Sequence, residues 1–270
     1  MCDIMNTINE AKTKVFTFMY SLYRREETYY TRRYRMKKFI IEDDFWELFP
    51  DAKIGVIVCH GIDNSIKEED KYLDILRDSE NEAIKYLDNP EFIQNDVIKV
   101  WREAFQKFKT KKGARCSIEA LLKRVNNGNH LGTINPLVDI YNSISLKYAL
   151  PCGGEDIDAF AGDNRLTKAN GNESFITYGS DKSEPPYEGE IVYKDDEGAI
   201  CRCWNWRESV RTMLTEDTKN AFLVIESVDE KRTEDLENAI KDLARLVQEN
   251  LGGTFKTSIL DINNKSIVLE

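Results

Sequence analysis

Ile134-Asn-Pro-Leu-Val-Asp-Ile-Tyr-Asn-Ser-Ile-Ser-Leu-Lys-Tyr-Ala-Leu-Pro-Cys-Gly-Gly-Glu-Asp-Ile-Asp158 is the stretch from which the fold is read. Its first half predicts a helix. Pro136 suits a first helical turn, where its missing N–H would have no partner anyway. Leu137, Tyr141, Ile144 and Tyr148 recur at helical spacing and make one apolar face, with Asn142 on or beside it. An amide so placed needs hydrogen-bond partners or loses roughly 1–3 kcal/mol. Leu150-Pro-Cys-Gly-Gly154 then predicts a corner. Proline stops the helix, and the glycines let backbone approach a ligand closely. A helix with an inward amide, ending on a glycine corner with acids behind it, reads as a pocket wall.

Val138-Asp-Ile-Tyr-Asn142, Leu150-Pro-Cys-Gly-Gly154 and Asp156-Ile-Asp158 together resemble the helix-and-loop signature of the editing module in the phenylalanyl-tRNA synthetase beta chain, made of its fused third and fourth domains. The chain resembles the free-standing, single-domain homologues of that module more closely. The resemblance spans roughly residues 100–230, with the flanks joined by analogy. It implies an editing-type α+β fold, an aminoacylated tRNA as partner, and hydrolysis of a mischarged aminoacyl ester. Asn142 falls on the Asn of the family's Val-Asp-x-x-Asn pattern, which lines the editing pocket. The other reading is a buried amide that ties a loop to the helix. Two departures stand out: Tyr141 replaces the family's Thr, and Gly153 replaces its His. The second removes the only imidazole from the inferred site and leaves space for a different side chain.

The bulk numbers fit a globular protein: 270 residues, 41% hydrophobic and 32% charged. The net charge of −10 disfavours non-specific nucleic-acid binding over the whole surface but leaves room for a local basic site. Six cysteines lack the spacing of a secreted disulfide framework and read as reduced thiols of a cytoplasmic protein. Cys201-Arg-Cys203 would need His60 or His130 to hold zinc, a wider spread than structural zinc ligands usually show, so no metal is expected. There is no P-loop or GxGxxG, and no cofactor is expected. The apolar run Val15–Tyr23 is far short of the ~20 residues of a membrane span. Residues 1–35 carry seven basic and four acidic residues, and read as a helical, basic and aromatic extension outside the fold. A second reading makes them an RNA-touching arm, since Arg and Tyr suit phosphate and base. The fold proper is expected to be one domain over residues 36–270.

Lys53–His60 predicts a buried strand by its β-branched run, and Phe39–Ile41 a short one. Residues 65–88 and 91–109 predict two helices, and Ser117 a cap for a third, Ile118–Val125. Strands are predicted at Arg165–Lys168, Ser174–Tyr178, Glu190–Lys194, Ala199–Trp206 and Ala221–Val228. Thr233 would cap a last helix through Asn250, before a closing hairpin of Thr254–Leu260 and Ser266–Leu269. Helices early and strands late predict α+β architecture, with mixed, largely antiparallel sheets flanked by helices.

Two further stretches bear on chemistry. In Cys201-Arg-Cys-Trp-Asn-Trp-Arg-Glu208, a strand would set Trp204 and Trp206 on one face and Asn205 and Arg207 on the other. The tryptophans would build a core or pocket wall. Arg207 and Glu208 form an ion pair in one reading; in the other, Asn205 and Arg207 meet a phosphate or carboxylate. A similar Trp-Asn-Trp-Arg-Glu run in the free-standing homologues implies the second. Glu226 ends a strongly apolar strand, either solvated or desolvated with a raised pKa. The family's Thr-rich turn, apolar strand and pocket-lining Glu match Thr212–Glu226, with a longer spacing from Thr218 here.

The inferred editing site is therefore Asn142, Gly153, Gly154 and Glu226 as catalytic residues, with Tyr141, Trp204, Asn205, Arg207, Glu208 and Thr212 binding the substrate. Gly153 and Gly154 would offer backbone donors to an oxyanion, around a positioned water. Cys152 as a nucleophile would need a base that nothing in the sequence supplies. Lys107, Lys109, Lys111, Lys112, Arg115, Lys123 and Arg124 are either a solvated helix end or a phosphate-contacting patch for the tRNA. The alternative to a trans-acting deacylase is a non-catalytic tRNA or small-ligand binding module of the same fold. The sequence leaves the oligomeric state open.

Overall fold

The computed structural model describes residues 36–66 and 69–270, so the 1–35 extension lies outside the described residues. In chain order the strands are β1 (Lys38–Ile41), β2 (Lys53–His60), β3 (Cys152–Asp156), β4 (Asn164–Lys168), β5 (Ile191–Lys194), β6 (Ala199–Arg202), β7 (Arg207–Glu208), β8 (Asn220–Ser227), β9 (Thr254–Leu260) and β10 (Ser266–Val268). The α-helices are α1 (Asp43–Trp46), α2 (Glu69–Ala83), α3 (Asp96–Ala104), α4 (Ser117–Asn126), α5 (Pro136–Tyr148) and α6 (Thr233–Leu251). Six strands form one sheet in the order β10-β1-β4-β5-β6-β7, and four form a second in the order β3-β8-β2-β9. Only β1 and β4 run parallel; the other named pairs are antiparallel. The architecture is α+β.

Alternation along β8 builds both cores. Phe222 and Val224 join Phe39, Val56, Tyr193 and Trp204 in the apolar layer shared by the two sheets. Leu223 and Ile225 face the other way, against Leu137, Ile140, Tyr141 and Ile144 of α5 and Leu236, Ile240 and Leu243 of α6. Each such side chain contributes about 1.5–3 kcal/mol by leaving water. The β2 run Ile54–Cys59 is buried on both faces, which is why it reads as a continuous apolar string rather than an alternating one.

Helix α5 begins where proline and its cap place it. Asn135 Oδ1 accepts from Val138 N at 3.1 Å, satisfying one of the free N-terminal donors. The fully buried Asn64 serves the same end: its Oδ1 accepts from Leu137 N at 2.8 Å and its Nδ2 donates to Asn135 Oδ1. The helix closes on Ala149 in the left-handed region, φ 44°.

Several local expectations change. The glycine corner is an edge strand: β3 pairs with β8 from Cys152 to Asp156, because an unpaired edge beside β8 offers backbone partners that a loop would lack. The predicted 199–206 strand stops at Arg202. Cys203 and Trp204 take positive φ, 46° and 64°, and turn the chain into β7. Ser174–Tyr178 forms no strand and is anchored bond by bond, for example Phe175 N to Ser183 Oγ and Ala199 N to Ser174 O. β9 and β10 are not a paired hairpin, since each joins a different sheet. Ser117 and Thr233 are first helical residues rather than caps; Cys116 and Arg232 hold the cap positions. The helices predicted over 65–88 and 91–109 are shorter, with single 3₁₀ turns at Ile84–Tyr86 and Phe92–Gln94.

Candidate functional site

A cavity of about 310 Å³ lies where β3 and β8 of the smaller sheet meet β5 and the β6–β7 turn of the larger one. Its wall includes Gly153, Gly154, Glu155, Tyr193, Trp204, Asn205, Trp206, Arg207, Glu208 and Glu226, with Ser117 from the start of α4. Two of the three segments singled out from the sequence therefore share one hollow. The third does so only through β3: Asn142 and Tyr141 on α5 are not among the lining residues, and neither is Thr212. The apolar face of α5 is spent on the helix-side core, and Asn142, a step of about 100° from Tyr141, is left half-buried with no side-chain hydrogen bond among the described residues.

Glu226 is the best-anchored group in the wall. It is 1% exposed. Oε1 accepts from Tyr193 Oη at 2.5 Å and from Trp204 Nε1 at 2.7 Å, and Oε2 accepts from Asn205 Nδ2 at 2.5 Å. Burial pushes its carboxyl up to about 7, against the three hydrogen bonds that favour its charged form. The left-handed backbone at Trp204 costs on the order of 1–3 kcal/mol. Trp204 offsets that by complete burial, by its bond to Glu226, and by ring contacts with Phe45, Phe49 and Trp101 at 5.0, 4.7 and 5.0 Å. The turn also puts Asn205 on the same carboxyl as Trp204, where a strand would have set them apart.

Two more carboxyls line the cavity. Burial alone pushes Glu208 up to about 7, and its side chain has no hydrogen bond among the described residues. Arg207 is not its partner: the guanidinium is exposed and lies 4.9 Å from the centre of the Trp206 ring. Glu155 is 6% exposed and its Oε2 has no hydrogen-bond partner among the described residues. Burial, reinforced by the charge of Glu208, pushes Glu155 well above the usual carboxylate range. Thr212 Oγ1 lies close enough to temper that rise but is itself without a hydrogen bond of good geometry. Ser117 Oγ, of a residue that also lines the cavity, is a further buried hydroxyl without a partner among the described residues. Glu155, Tyr193 and Ser117 are not among the site residues read from the sequence, where Ser117 figures only as a helix cap. Reading Cys152–Asp156 as a strand would have put Glu155 beside Gly153 on one face; nothing local marks the other two.

The glycines play different parts. A Cβ on Gly153 would meet only Val224 Cγ2, at 3.8 Å, so its side faces free space. A Cβ on Gly154 would stand 2.6 Å from Leu223 Cδ2 and 2.9 Å from Leu214 Cδ1. Their N–H groups differ too. Glu226 N bonds to Pro151 O, so the antiparallel alternation turns the N–H of Gly153 towards β8 and that of Gly154 towards the outer edge.

The thiol of Cys152 packs in the helix-side core and is raised far above the ordinary range by burial, a poor nucleophile. Neither histidine is near: His60 Nδ1 lies 3.1 Å from Asn220 Oδ1, and His130 Nδ1 lies 2.7 Å from Glu80 Oε2. Among the described residues no group of three His, Cys, Asp or Glu side chains could hold a metal, and no helix is long and apolar enough to cross a membrane.

The basic cluster is spread along α4 and the loop before it. Lys111 bonds to Glu184, and its Nζ lies 5.9 Å from the centre of the Trp206 ring at the cavity wall. Lys107 and Lys109 lie over Phe49 and Tyr187. Arg115 is 3.8 Å from Glu119; Lys112, Lys123 and Arg124 are exposed.

Comparison with known proteins adds the following. The family model described as the B3/4 domain matches residues 100–251, more than half of the chain. A phenylalanine-tRNA ligase beta subunit from Mycoplasmoides gallisepticum is 33% identical over 101 residues, 37% of this chain and 12% of that protein. The matched region is thus a small part of that relative's length. A crystal structure of an N-terminal fragment of the phenylalanyl-tRNA synthetase beta subunit from Pyrococcus horikoshii is 12% identical, with a TM-score of 0.41 over 82% of this chain and 52% of that one.

Proposed function

Because this chain belongs to the B3/4 domain family, we propose that it is an editing module that hydrolyses the ester of a mischarged aminoacyl-tRNA. The observation that carries the reading is the cavity itself. It is large enough for an aminoacyl group, and it is lined by buried polar atoms that have no partner among the described residues. Buried polar groups are almost always satisfied, so a water or a ligand group is expected there. Gly153, where the synthetase has His, widens the hollow rather than closing it.

In this reading Glu226 and Asn205 orient a water at the ester. A carboxylate offers about four acceptor positions, and three are filled by Tyr193, Trp204 and Asn205. The remaining lone pair, on a group with a pKa near 7, suits accepting a proton from the attacking water. The N–H of Gly154 lies off the β8 ladder but on the edge where Met213 bridges Glu155, so neither glycine N–H is assigned as the donor to the developing oxyanion. Trp206, Arg207 and Lys111 edge the cavity, and the exposed lysines beyond them would follow the acceptor-stem phosphates. The setting is the cytoplasm, where tRNA is charged. Asn142 would act, if at all, from outside the wall.

The second reading, a binding module without the reaction, is favoured by one observation: no imidazole lines the cavity. Release of amino acid from a panel of mischarged tRNAs decides between them. The editing reading expects at least one tRNA to be deacylated, and expects Gly153→Leu, which fills the hollow, to abolish release while leaving the thermal midpoint within a few degrees. If no tRNA is deacylated and Glu226→Ala leaves tRNA binding unchanged, the editing reading is overturned.

A further inference from the structure

Three carboxyls converge on the cavity, and their situations differ. Glu226 has its three donors and its place in the wall is explained. Glu155 and Glu208 are not anchored in this way among the described residues: Glu155 Oε2 is buried without a hydrogen bond of good geometry, and no described residue bonds to the Glu208 side chain. The two act on each other, since the charge of Glu208 reaches Glu155 and those of both reach Tyr141 and Cys201. Arg211, whose charge also reaches Glu155, is already held by both oxygens of Asp195, at 2.7 and 2.9 Å. Unpaired and buried, the two carboxyls rise above the ordinary carboxylate range and favour holding a proton over carrying charge. A cation supplied from outside would relieve both. Metal-ligand geometry is not present among the described residues, so the fitting cation is an organic one that can donate to each carboxylate. A primary ammonium has three donors and no acceptor.

We infer that the cavity binds a primary ammonium group, held between the carboxylates of Glu155 and Glu208. Resting on the editing reading, this places the α-ammonium of the aminoacyl ester at that pair, and makes the free amine a condition of recognition. N-blocked aminoacyl groups would then be refused, because an amide N–H lacks the charge that the pair demands.

The test is binding of small probes, followed by the tryptophan fluorescence of the Trp204–Trp206 wall and by calorimetry. The probes are the amides of alanine, leucine and phenylalanine, their N-acetyl forms, and butylamine. Saturable binding of the amides is expected, with N-acetylation and Glu208→Gln each weakening it at least tenfold. Glu155→Gln is expected to do the same, with a thermal melt to show that the variant is folded. Butylamine matching the amides would identify a site that reads any ammonium; amides alone would identify the α-ammonium of an amino acid. Equal binding of N-acetyl and free amides, absence of binding by every ammonium probe, or unchanged affinity in folded Glu208→Gln overturns the inference. The two readings fail separately. Amide binding without deacylation leaves the ammonium site and removes the editing function, whereas equal hydrolysis of N-acetylated aminoacyl-tRNA does the reverse.

Discussion

Glu226 shows how much a single buried carboxyl sets. Burial raises its pKa from the ordinary value to about 7 while the unfolded chain titrates near 4.3. Between those values the native state holds a proton that the unfolded state has lost. The contribution of this one group to stability is therefore largest below about pH 4 and is lost as pH rises through 7, by an amount on the order of 3 kcal/mol. Glu208 acts in the same direction. The thermal midpoint is expected to fall between pH 5 and 8, and Glu226→Gln to flatten part of that fall. The glutamine keeps an oxygen for Tyr193 and Trp204, and the Asn205 amide turns to face its NH₂. A variant with the full pH slope would remove Glu226 as the titrating group.

At the scale of elements, β3 carries two glycines with unlike duties. Gly154→Ala drives a methyl into Leu223 and Leu214, and overpacking of this kind costs about 1–3 kcal/mol. Gly153→Ala points its methyl into the cavity and should change the denaturant midpoint little, about 0.5 kcal/mol or less. Equal losses in the two variants would mean that β3 does not have this register. The start of α5 is a second element-scale test. Asn64 holds Leu137 N, Asn135 and the carbonyl of Thr215 from a fully buried position. Asn64→Ala leaves Leu137 N and the Thr215 carbonyl without this partner and is expected to cost about 2–3 kcal/mol in chemical denaturation. Asn135→Ala, which removes the cap as well as one of those bonds, should cost at least about 1 kcal/mol.

Over the whole molecule, charge is sorted. The chain is acidic at −10 and its cavity is lined by three carboxyls, while Lys107, Lys109, Lys112, Lys123 and Arg124 form an exposed basic group on α4 and the preceding loop, with further exposed lysines elsewhere. An aminoacyl-tRNA has the complementary layout: a cationic amine at the tip and phosphates behind it. If the basic surface follows those phosphates, tRNA affinity should fall steeply with salt. Lys112→Ala and Lys123→Ala should each reduce the slope of log affinity against log salt by about 1. Glu208→Gln should leave that slope alone. Unchanged slopes in both lysine variants would move the tRNA elsewhere on the surface.

The sequence by itself determined the α+β class, the buried strand at Lys53–His60 and the α5 helix with its proline start, and it singled out the Trp204–Glu208 and Glu226 stretches, which line one cavity. Those are local matters, written in hydrophobic period, backbone propensity and motif. What only the tertiary structure decided was where backbone and charge find partners. The glycine corner became a strand because β8 offered it a ladder. The tryptophan strand became a left-handed turn because burying Trp204 against Glu226 and three aromatic rings outweighs the local strain. Asn142 was left outside the cavity because the apolar face of α5 is used on the other side of the sheet. Glu155 came into it through strand alternation, which a loop does not have. Long-range pairing of this sort depends on which segments lie side by side, and spacing along a chain does not record it.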